Sequence, residues 1–271
     1  MIRDITIGQY YQTESDIHKL DPRVKIVATL LFIISLFIKS NFGTYGIALI
    51  FLVYAIKKSK VPFHFMVKGM KPILFIMLIT VVFNLFLTTG EPLFTIWKLT
   101  ITKDGLKQAC SMAIRLTFLV MGSSIMTLTT TPNQLTDGME KLLAPLKKCK
   151  VPVHEIAMMM SIALRFIPIL LEETDKIMKA QIARGADFES KNLMKKIKSM
   201  VPLLVPLFVS AFRRAIDLAM AMEARCYRGG EGRTKMKPLK YKAADKKAYF
   251  IIWTYFLIVI IEGIVLGDIL S

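Results

Sequence analysis

Two arginines lie at the ends of two helix-forming stretches and have similar neighbours. Arg184 lies in Ala183-Arg184-Gly185, and forty-one residues later Arg225 lies in Ala224-Arg225-Cys226. A cation near a helix C-terminus is favoured by the helix dipole and the free carbonyls, so local capping explains one such arginine adequately. Capping explains the repeat less well, because each guanidinium also presents five donors in a planar fork that suits a groove containing a carboxylate or backbone carbonyls. The repeat predicts two docking points for partner proteins, made of Ala183, Arg184, Gly185, Ala224, Arg225 and Cys226.

Other side chains with catalytic or ligating chemistry stand alone. His18, His64 and His154 have no companion at ligand spacing, which argues against a metal site. Ser123 and Ser124 come without a nucleophile motif or a base, and small residues in an apolar segment more often mark close helix packing. The three cysteines are widely spaced and form no CxxC pair. We therefore predict no catalytic residue, no metal site and no cofactor bound by this chain.

Composition identifies the class of protein. Apolar residues make up 54% of the 271 residues and the mean hydropathy is +0.50, which is too hydrophobic for an ordinary soluble domain. The formal charge of +17 would favour nucleic acid in a soluble protein. In a membrane protein, however, Lys and Arg collect in cytoplasmic loops and near anionic headgroups. We expect a lipid bilayer around this chain and no nucleic acid partner.

Apolar stretches predict about five membrane-spanning helices in an all-α, polytopic fold. A span needs roughly 20 mostly apolar residues, with about 17 to 25 tolerated. The stretches that qualify or come close are Val24–Ile38, Phe42–Ile56, Pro72–Leu87, Leu106–Thr130 and Tyr249–Leu266.

Lysines predict the orientation of these spans. Residues 57–71, between the second and third spans, contain five lysines and no acid, so this link should be cytoplasmic. Counting spans from there makes the N-terminus cytoplasmic and the C-terminus extracellular in a multi-pass protein of the cell membrane. Residues 131–248 then also lie inside, and they carry 23 Lys and Arg against 12 Asp and Glu. The predicted organisation is a cytoplasmic segment 1–23, four spans in 24–130, a cytoplasmic module 131–248 and a last span in 249–271.

The cytoplasmic module reads as three helices. They are predicted at Asn133–Lys148, at Pro152–Ala183 with Gly185 as its stop, and from about Val201 to Tyr227 with Gly229 and Gly230 as its stop. On the second helix, Glu172 with Lys176 and Asp175 with Lys179 have the favourable acid-first i,i+4 spacing.

An apolar, methionine-rich surface is expected on the second and third of these helices. Such a surface must be covered by lipid, by the chain's own helices or by another protein, and methionine favours surfaces that accept several partners. Ordinary helix packing is the alternative explanation. The candidate surface residues are Met158, Met159, Leu203, Leu204, Leu207 and Phe208.

Two ionisable residues fall within predicted spans, Arg115 in the fourth and Glu262 in the fifth. A lone charge at that depth is costly, so such groups face protein and find partners. Both lie in the outer third of their spans, and we expect them to form a structural pair, with a transport site as the alternative.

Several motifs resemble those of a known family, the transmembrane T-component of energy-coupling factor (ECF) transporters, which import vitamins and some metal ions. The resemblance covers essentially the whole chain, and the two arginine motifs are its specific part. The supporting segments are Gly8–Tyr10, His18–Arg23, Leu128–Pro132, Leu164–Pro168 with Glu172 and Glu173, Ala180–Gly185 and Met222–Arg225. One departure is Cys226, where the family often has Gly or Ser.

The resemblance implies a transmembrane scaffold without catalytic activity. The module 131–248 would be three coupling helices, and Arg184 and Arg225 would dock into two ABC-type ATPase subunits, expected as a heterodimer, which bind the ATP and Mg. A separate substrate-binding S-component, or several in turn, would lie on the apolar face. The alternatives are the permease of a conventional ABC importer, which would carry one EAA-type loop where this chain has two arginine motifs, and an intramembrane enzyme.

Overall fold

The computed structural model describes residues 10–38, 42–88, 92–96, 99–186, 188, 193–230, 232, 236 and 238–265. These residues form eight α-helices, a two-stranded sheet and one 3-10 helix at Ala144–Cys149. The α-helices are α1 (Pro22–Ile38), α2 (Phe42–Ser59), α3 (Phe63–Leu87), α4 (Lys103–Thr129), α5 (Pro132–Leu142), α6 (Val153–Ala183), α7 (Leu193–Ala224) and α8 (Ala243–Val265), and the strands are β1 (Pro92–Ile96) and β2 (Leu99–Thr102).

The all-α prediction is confirmed, with one small addition. The link between the third and fourth predicted spans contains an antiparallel hairpin, in which Phe94 lies opposite Ile101 and Thr95 opposite Thr100. This hairpin was not predicted, and its strands are only five and four residues long. Each of the five predicted spans corresponds to a helix, and the predicted N- and C-terminal segments lie partly outside the described residues.

Three helices of the described chain have the length and apolarity of a membrane span: Lys103–Thr129, Val153–Ala183 and Ala243–Ile264. A fourth joins them if Phe63–Lys71 and Ile73–Phe86, which meet at 64°, count as one span. Helices α1 and α2 have 17 and 18 residues, at the lower limit of about 17 for a span. Helix α6 was assigned to the cytoplasmic module, so its agreement with the criteria for a span was not expected. It qualifies because Arg165 is the one charged residue between Glu155 and Glu172.

The helices divide into two compact units. One contains residues 142–238, with α6 and α7, and the other contains residues 8–141 and 239–271. The short helix α5 falls in the second unit, where Gly138 lies close to Pro22 and Ile26 of α1. Thr131 and Gln134 start α5 by exchanging backbone and side-chain hydrogen bonds of 3.2 and 3.3 Å. Helix α5 ends at Leu142, so the predicted helix Asn133–Lys148 is divided between α5 and the 3-10 helix at Ala144–Cys149.

The second unit has a core of apolar residues from α1, α2, α4 and α8. Phe51 stacks on Tyr255 at 4.3 Å between ring centroids, and Phe32 and Val259 are buried beside them. The Tyr255 hydroxyl and the Ser35 hydroxyl lie 2.7 Å apart and hydrogen-bond within this core. The bond satisfies two polar groups that would otherwise be costly to bury.

Two aspartates join the loop before α1 to the start of α8. The Asp245 carboxylate accepts hydrogen bonds from the backbone N–H groups of Asp21 (2.8 Å) and Lys242 (2.6 Å), so it caps α8 and holds the other segment. The Asp21 carboxylate accepts from Nε and Nη2 of Arg23 at 2.9 and 2.8 Å. Burial would raise the pKa of Asp21, but its hydrogen bonds to Arg23 hold that pKa below the ordinary value. The segment His18–Arg23 thus has a structural role in anchoring α1 to α8.

Candidate docking site on two helix ends

Helices α6 and α7 pack side by side in opposite directions. The Glu173 carboxylate of α6 accepts hydrogen bonds from the Ser210 hydroxyl and from Arg214 Nη2 (2.7 Å) on α7. Nearer the end of α6, Gln181 Nε2 donates to the Pro202 carbonyl at 3.3 Å. The later residue of α6, Gln181, contacts the earlier residue of α7, Pro202. The two helices are therefore antiparallel, and the end of α6 lies near the beginning of α7.

We call the contacts of Glu173 with Ser210 and Arg214, and of Gln181 with Pro202, the interhelical clamp. The sequence did not predict it. The expected pairs of Glu172 with Lys176 and of Asp175 with Lys179 are not ion pairs in the described part of the structure. Glu172 is exposed, whereas its neighbour Glu173 makes the contacts to α7. Spacing along one helix identifies neighbours within that helix, but only tertiary packing decides which acid meets another helix.

The end of α6 is a Schellman motif with Arg184 at the C-cap. The Gly185 N–H donates to the Ile182 carbonyl at 2.9 Å, and the Ala186 N–H donates to the Gln181 carbonyl at 3.0 Å. Gly185 has φ +86°, the left-handed conformation that this motif requires after the cap residue. The predicted stop at Gly185 is therefore confirmed.

The end of α7 has the same pattern of backbone hydrogen bonds forty-one residues later. The Cys226 N–H donates to the Glu223 carbonyl at 2.8 Å, and the Tyr227 N–H donates to the Met222 carbonyl at 3.0 Å. Cys226 has φ +55° and occupies the position that Gly185 holds in the first motif. The helix stops at Ala224, before the glycine pair that was expected to end it, and it begins at Leu193 rather than near Val201.

The two arginines thus project from equivalent backbone geometries. The six residues of the predicted docking points are all exposed in this structure. Because the helices are antiparallel, the tips stand at opposite ends of the pair. The helix from Pro202, beside the end of α6, to Ala224 separates them by roughly 35 Å at 1.5 Å per residue.

The apolar face of α7 is larger than predicted and differs at one residue. Leu204 and Phe208 are exposed as expected, Leu207 is half-buried, and Leu203 is only 8% exposed. Leu203 lies on the same side of α7 as Ser210 and Arg214, which face α6, and its contact with a partner stays a prediction. Further exposed apolar side chains extend the stripe along the opposite side; they are Val201, Val205, Val209, Phe212, Ile216 and Met220.

On α6, the two methionines differ in exposure. Met159 is 57% exposed, whereas Met158 is half-buried. Ile156 and Met160 are exposed beside Met159, so the first half of α6 also presents apolar surface.

Arg115 and Glu262 lie at the same end of the helix bundle. Glu262 accepts a hydrogen bond from the Thr44 hydroxyl, and it also lies against Gly43. The Arg115 guanidinium lies over the Phe37 ring with 5.4 Å to the centroid, and Gly263, next to Glu262, approaches Ile38. Both residues therefore contact helix ends in one region, and their direct pairing stays a prediction.

Side chains that could ligate a metal are scattered in the described part of the chain. No group of three or more His, Cys, Asp or Glu side chains is found there with the spacing of a metal site. Cys110, Cys149 and Cys226 are all exposed as free thiols.

Comparison with known proteins identifies the family. Residues 13–236 match the family described as cobalt transport protein, CbiQ. The chain belongs to this family. The matched region contains both arginine motifs and all helices except α8.

Named relatives are similar over nearly the whole chain. An energy-coupling factor transporter transmembrane protein EcfT from Clostridium kluyveri is 60% identical over 248 residues, covering 90% of this chain and 92% of the relative. Proteins of the same name from Thermosediminibacter oceani and Bacillus subtilis are 52% and 49% identical, covering 92% and 90% of this chain and 94% and 93% of their own lengths. These relatives support a multi-pass transmembrane component of an ECF transporter over a conventional permease.

Proposed function

We propose that this chain couples two ATPase subunits to a separate substrate-binding subunit, and that Arg184 and Arg225 are the two ATPase contacts. The observation that carries the proposal is the repeated helix end. Two exposed arginines leave the same backbone motif at opposite ends of one antiparallel helix pair. Two matched tips roughly 35 Å apart suit two similar sockets on two subunits better than one shared site.

The clamp between α6 and α7 supports transmission of force between the tips. Glu173 contacts Ser210 and Arg214, and Gln181 contacts Pro202, so a push on one tip is transferred to the other helix through hydrogen bonds. The ATPases would supply this push as they bind and hydrolyse ATP with Mg. This chain itself would bind no cofactor and catalyse no reaction.

The exposed stripe on α7 is the proposed contact of the S-component. Large apolar side chains such as Phe208 and Phe212, 60% and 68% exposed, are unfavourable in water and mark interaction surfaces. A surface built from flexible and aromatic side chains also suits exchange between several S-components. The transported substrate would be selected by that partner.

The proposed orientation places the N-terminus and the unit containing α6 and α7 in the cytoplasm, where the ATPases reside. It is supported by the lysines of residues 57–71 and by the net positive charge of residues 131–248. The C-terminus would then be extracellular.

The proposal is tested by an Arg184→Ala, Arg225→Ala double variant of the full chain, co-expressed with its ATPases and an S-component. The matched control is Arg213→Ala, which removes an exposed arginine from the middle of α7. We expect the double variant to lose copurifying ATPases and substrate uptake, while the control keeps both. A double variant that retains both ATPases and supports uptake at the control's rate would refute the proposal.

A further inference from the structure

A cavity of about 550 Å³ opens among four helices of the unit that contains α1, α2, α4 and α8. Its inner wall is apolar and includes Phe32, Phe51, Leu52, Ile125 and Ile252. Cavities of this size accommodate small organic ligands or part of a lipid. Neither the arginine tips nor the stripe on α7 contributes to it.

Polar residues line one end of the cavity and apolar residues line the other. On α1 the lining runs from Lys25 to Phe32, and on α2 it runs from Lys58 back to Phe51. Seven residues of helix span about 10 Å, so the cavity extends roughly two helical turns from a charged rim to an apolar floor. The gradient matches an amphiphile whose charged group stays at the helix ends while its hydrocarbon lies between the helices.

The charged rim is strongly positive. Four lysines, Lys19, Lys25, Lys58 and Lys247, line the cavity against one acid, Asp16. Two of these lysines form ion pairs, Lys58 with Asp16 at 2.9 Å and Lys19 with Glu14 at 3.1 Å. Both pairs are exposed and therefore weak, so Lys58 can exchange Asp16 for a phosphate.

Two of these lysines lack a carboxylate at hydrogen-bond distance among the described residues. Lys25, only 5% exposed, donates to the neutral carbonyls of His18 (3.2 Å) and Thr129 (2.8 Å). Lys247 is exposed and forms no ion pair within that part of the chain. The rim thus carries positive charge that an anionic ligand would balance.

We propose that this cavity binds an anionic phospholipid, with an acyl chain on the apolar floor and the phosphate between Lys58 and Lys247. The proposal rests on the proposed orientation, which places this rim in the cytoplasmic leaflet, where anionic lipids concentrate. A free phosphate would use the lysines but would leave the apolar floor without a ligand. A phospholipid satisfies both ends of the cavity.

Neighbouring lysines supply a matched control. Lys57 and Lys246 are exposed and adjacent to Lys58 and Lys247, but they do not line the cavity. A Lys58→Gln, Lys247→Gln variant and a Lys57→Gln, Lys246→Gln variant therefore remove the same charge from the same helices. Only the first pair changes the proposed phosphate site.

The experiment uses the full chain, copurified with its ATPases and reconstituted into vesicles of equal parts phosphatidylglycerol and phosphatidylcholine. Native mass spectrometry of the released complexes measures the ratio of the two lipids that stay bound. We expect the wild-type protein to retain mainly phosphatidylglycerol, the cavity-facing variant to lose about tenfold of this preference, and the control variant to keep it. Equal losses in both variants would mean that general surface charge attracts the lipid, and no preference in the wild-type protein would exclude the site.

A photoreactive phenylalanine analogue at Tyr54, which lines the cavity, identifies the occupant directly. Cross-linking to a phospholipid supports the proposal, and cross-linking to a partner subunit overturns it. ATPase copurification in the same samples reports on the docking proposal separately. A complex that keeps its ATPases but shows no lipid preference refutes the lipid site alone.

Discussion

A single methyl group added at the end of α6 should loosen the first arginine tip. Gly185 has φ +86°, and a Cβ at this position would meet no atom within 4 Å, so Gly185→Ala changes backbone strain without a steric clash. An L-residue with a side chain costs about 1–2 kcal/mol in the left-handed conformation. The two hydrogen bonds that close the motif, from the N–H groups of Gly185 and Ala186, should therefore open about 5- to 30-fold more often.

Amide hydrogen exchange of the full chain measures this opening. Peptides that cover the end of α6 should exchange 5- to 30-fold faster in Gly185→Ala, after correction for the intrinsic exchange rates of the two sequences. The end of α7 is the internal control, because it has the same motif with Cys226 in place of glycine. Unchanged exchange at α6, or an equal increase at α7, would refute the argument from backbone strain.

Three further predictions concern the clamp, the apolar face and the orientation. Glu173→Gln should destabilise the packing of α6 on α7 by about 1–2 kcal/mol and lower uptake without removing the ATPases. The control Glu172→Gln should have little effect, because Glu172 is exposed. Thermal unfolding and uptake assays compare the two variants, and equal behaviour would contradict the clamp. Phe212→Ser should reduce copurification of the S-component and leave the ATPases bound, and loss of both partners together would argue against a separate S-component face. A membrane-impermeant maleimide should label Cys149 only in permeabilised cells, in a variant whose other two cysteines are serine, and labelling in intact cells would reverse the orientation.

Much of the fold follows from local sequence signals. The apolar stretches locate the helices of the proposed membrane part, and Gly185 marks the end of α6, because glycine adopts the left-handed conformation without strain. The same reasoning placed the end of α7 too late. Cys226 adopts the left-handed conformation although its side chain disfavours it. Cysteine has no preference for this conformation, so its presence in the sequence does not predict a helix end.

Other features depended on tertiary packing. The i,i+4 spacing pointed to Glu172, whereas the contact to α7 is made by Glu173. Leu203 belongs to an apolar run that was expected to be exposed. It is buried because α6 packs against that side of α7. The cavity bounded by Lys58 and Lys247 joins residues far apart in sequence, so a pass along the chain could not reveal it.

The central claim is that each arginine tip contacts its own ATPase subunit. A photoreactive phenylalanine analogue placed at Ala183 or at Ala224, next to Arg184 and Arg225, tests this claim in the assembled complex purified from membranes. Each position should cross-link to one ATPase subunit, and with a heterodimer the two positions should capture different polypeptides. Cross-links from both positions to the same ATPase polypeptide of a heterodimer, or only to lipid or the S-component, would contradict the claim.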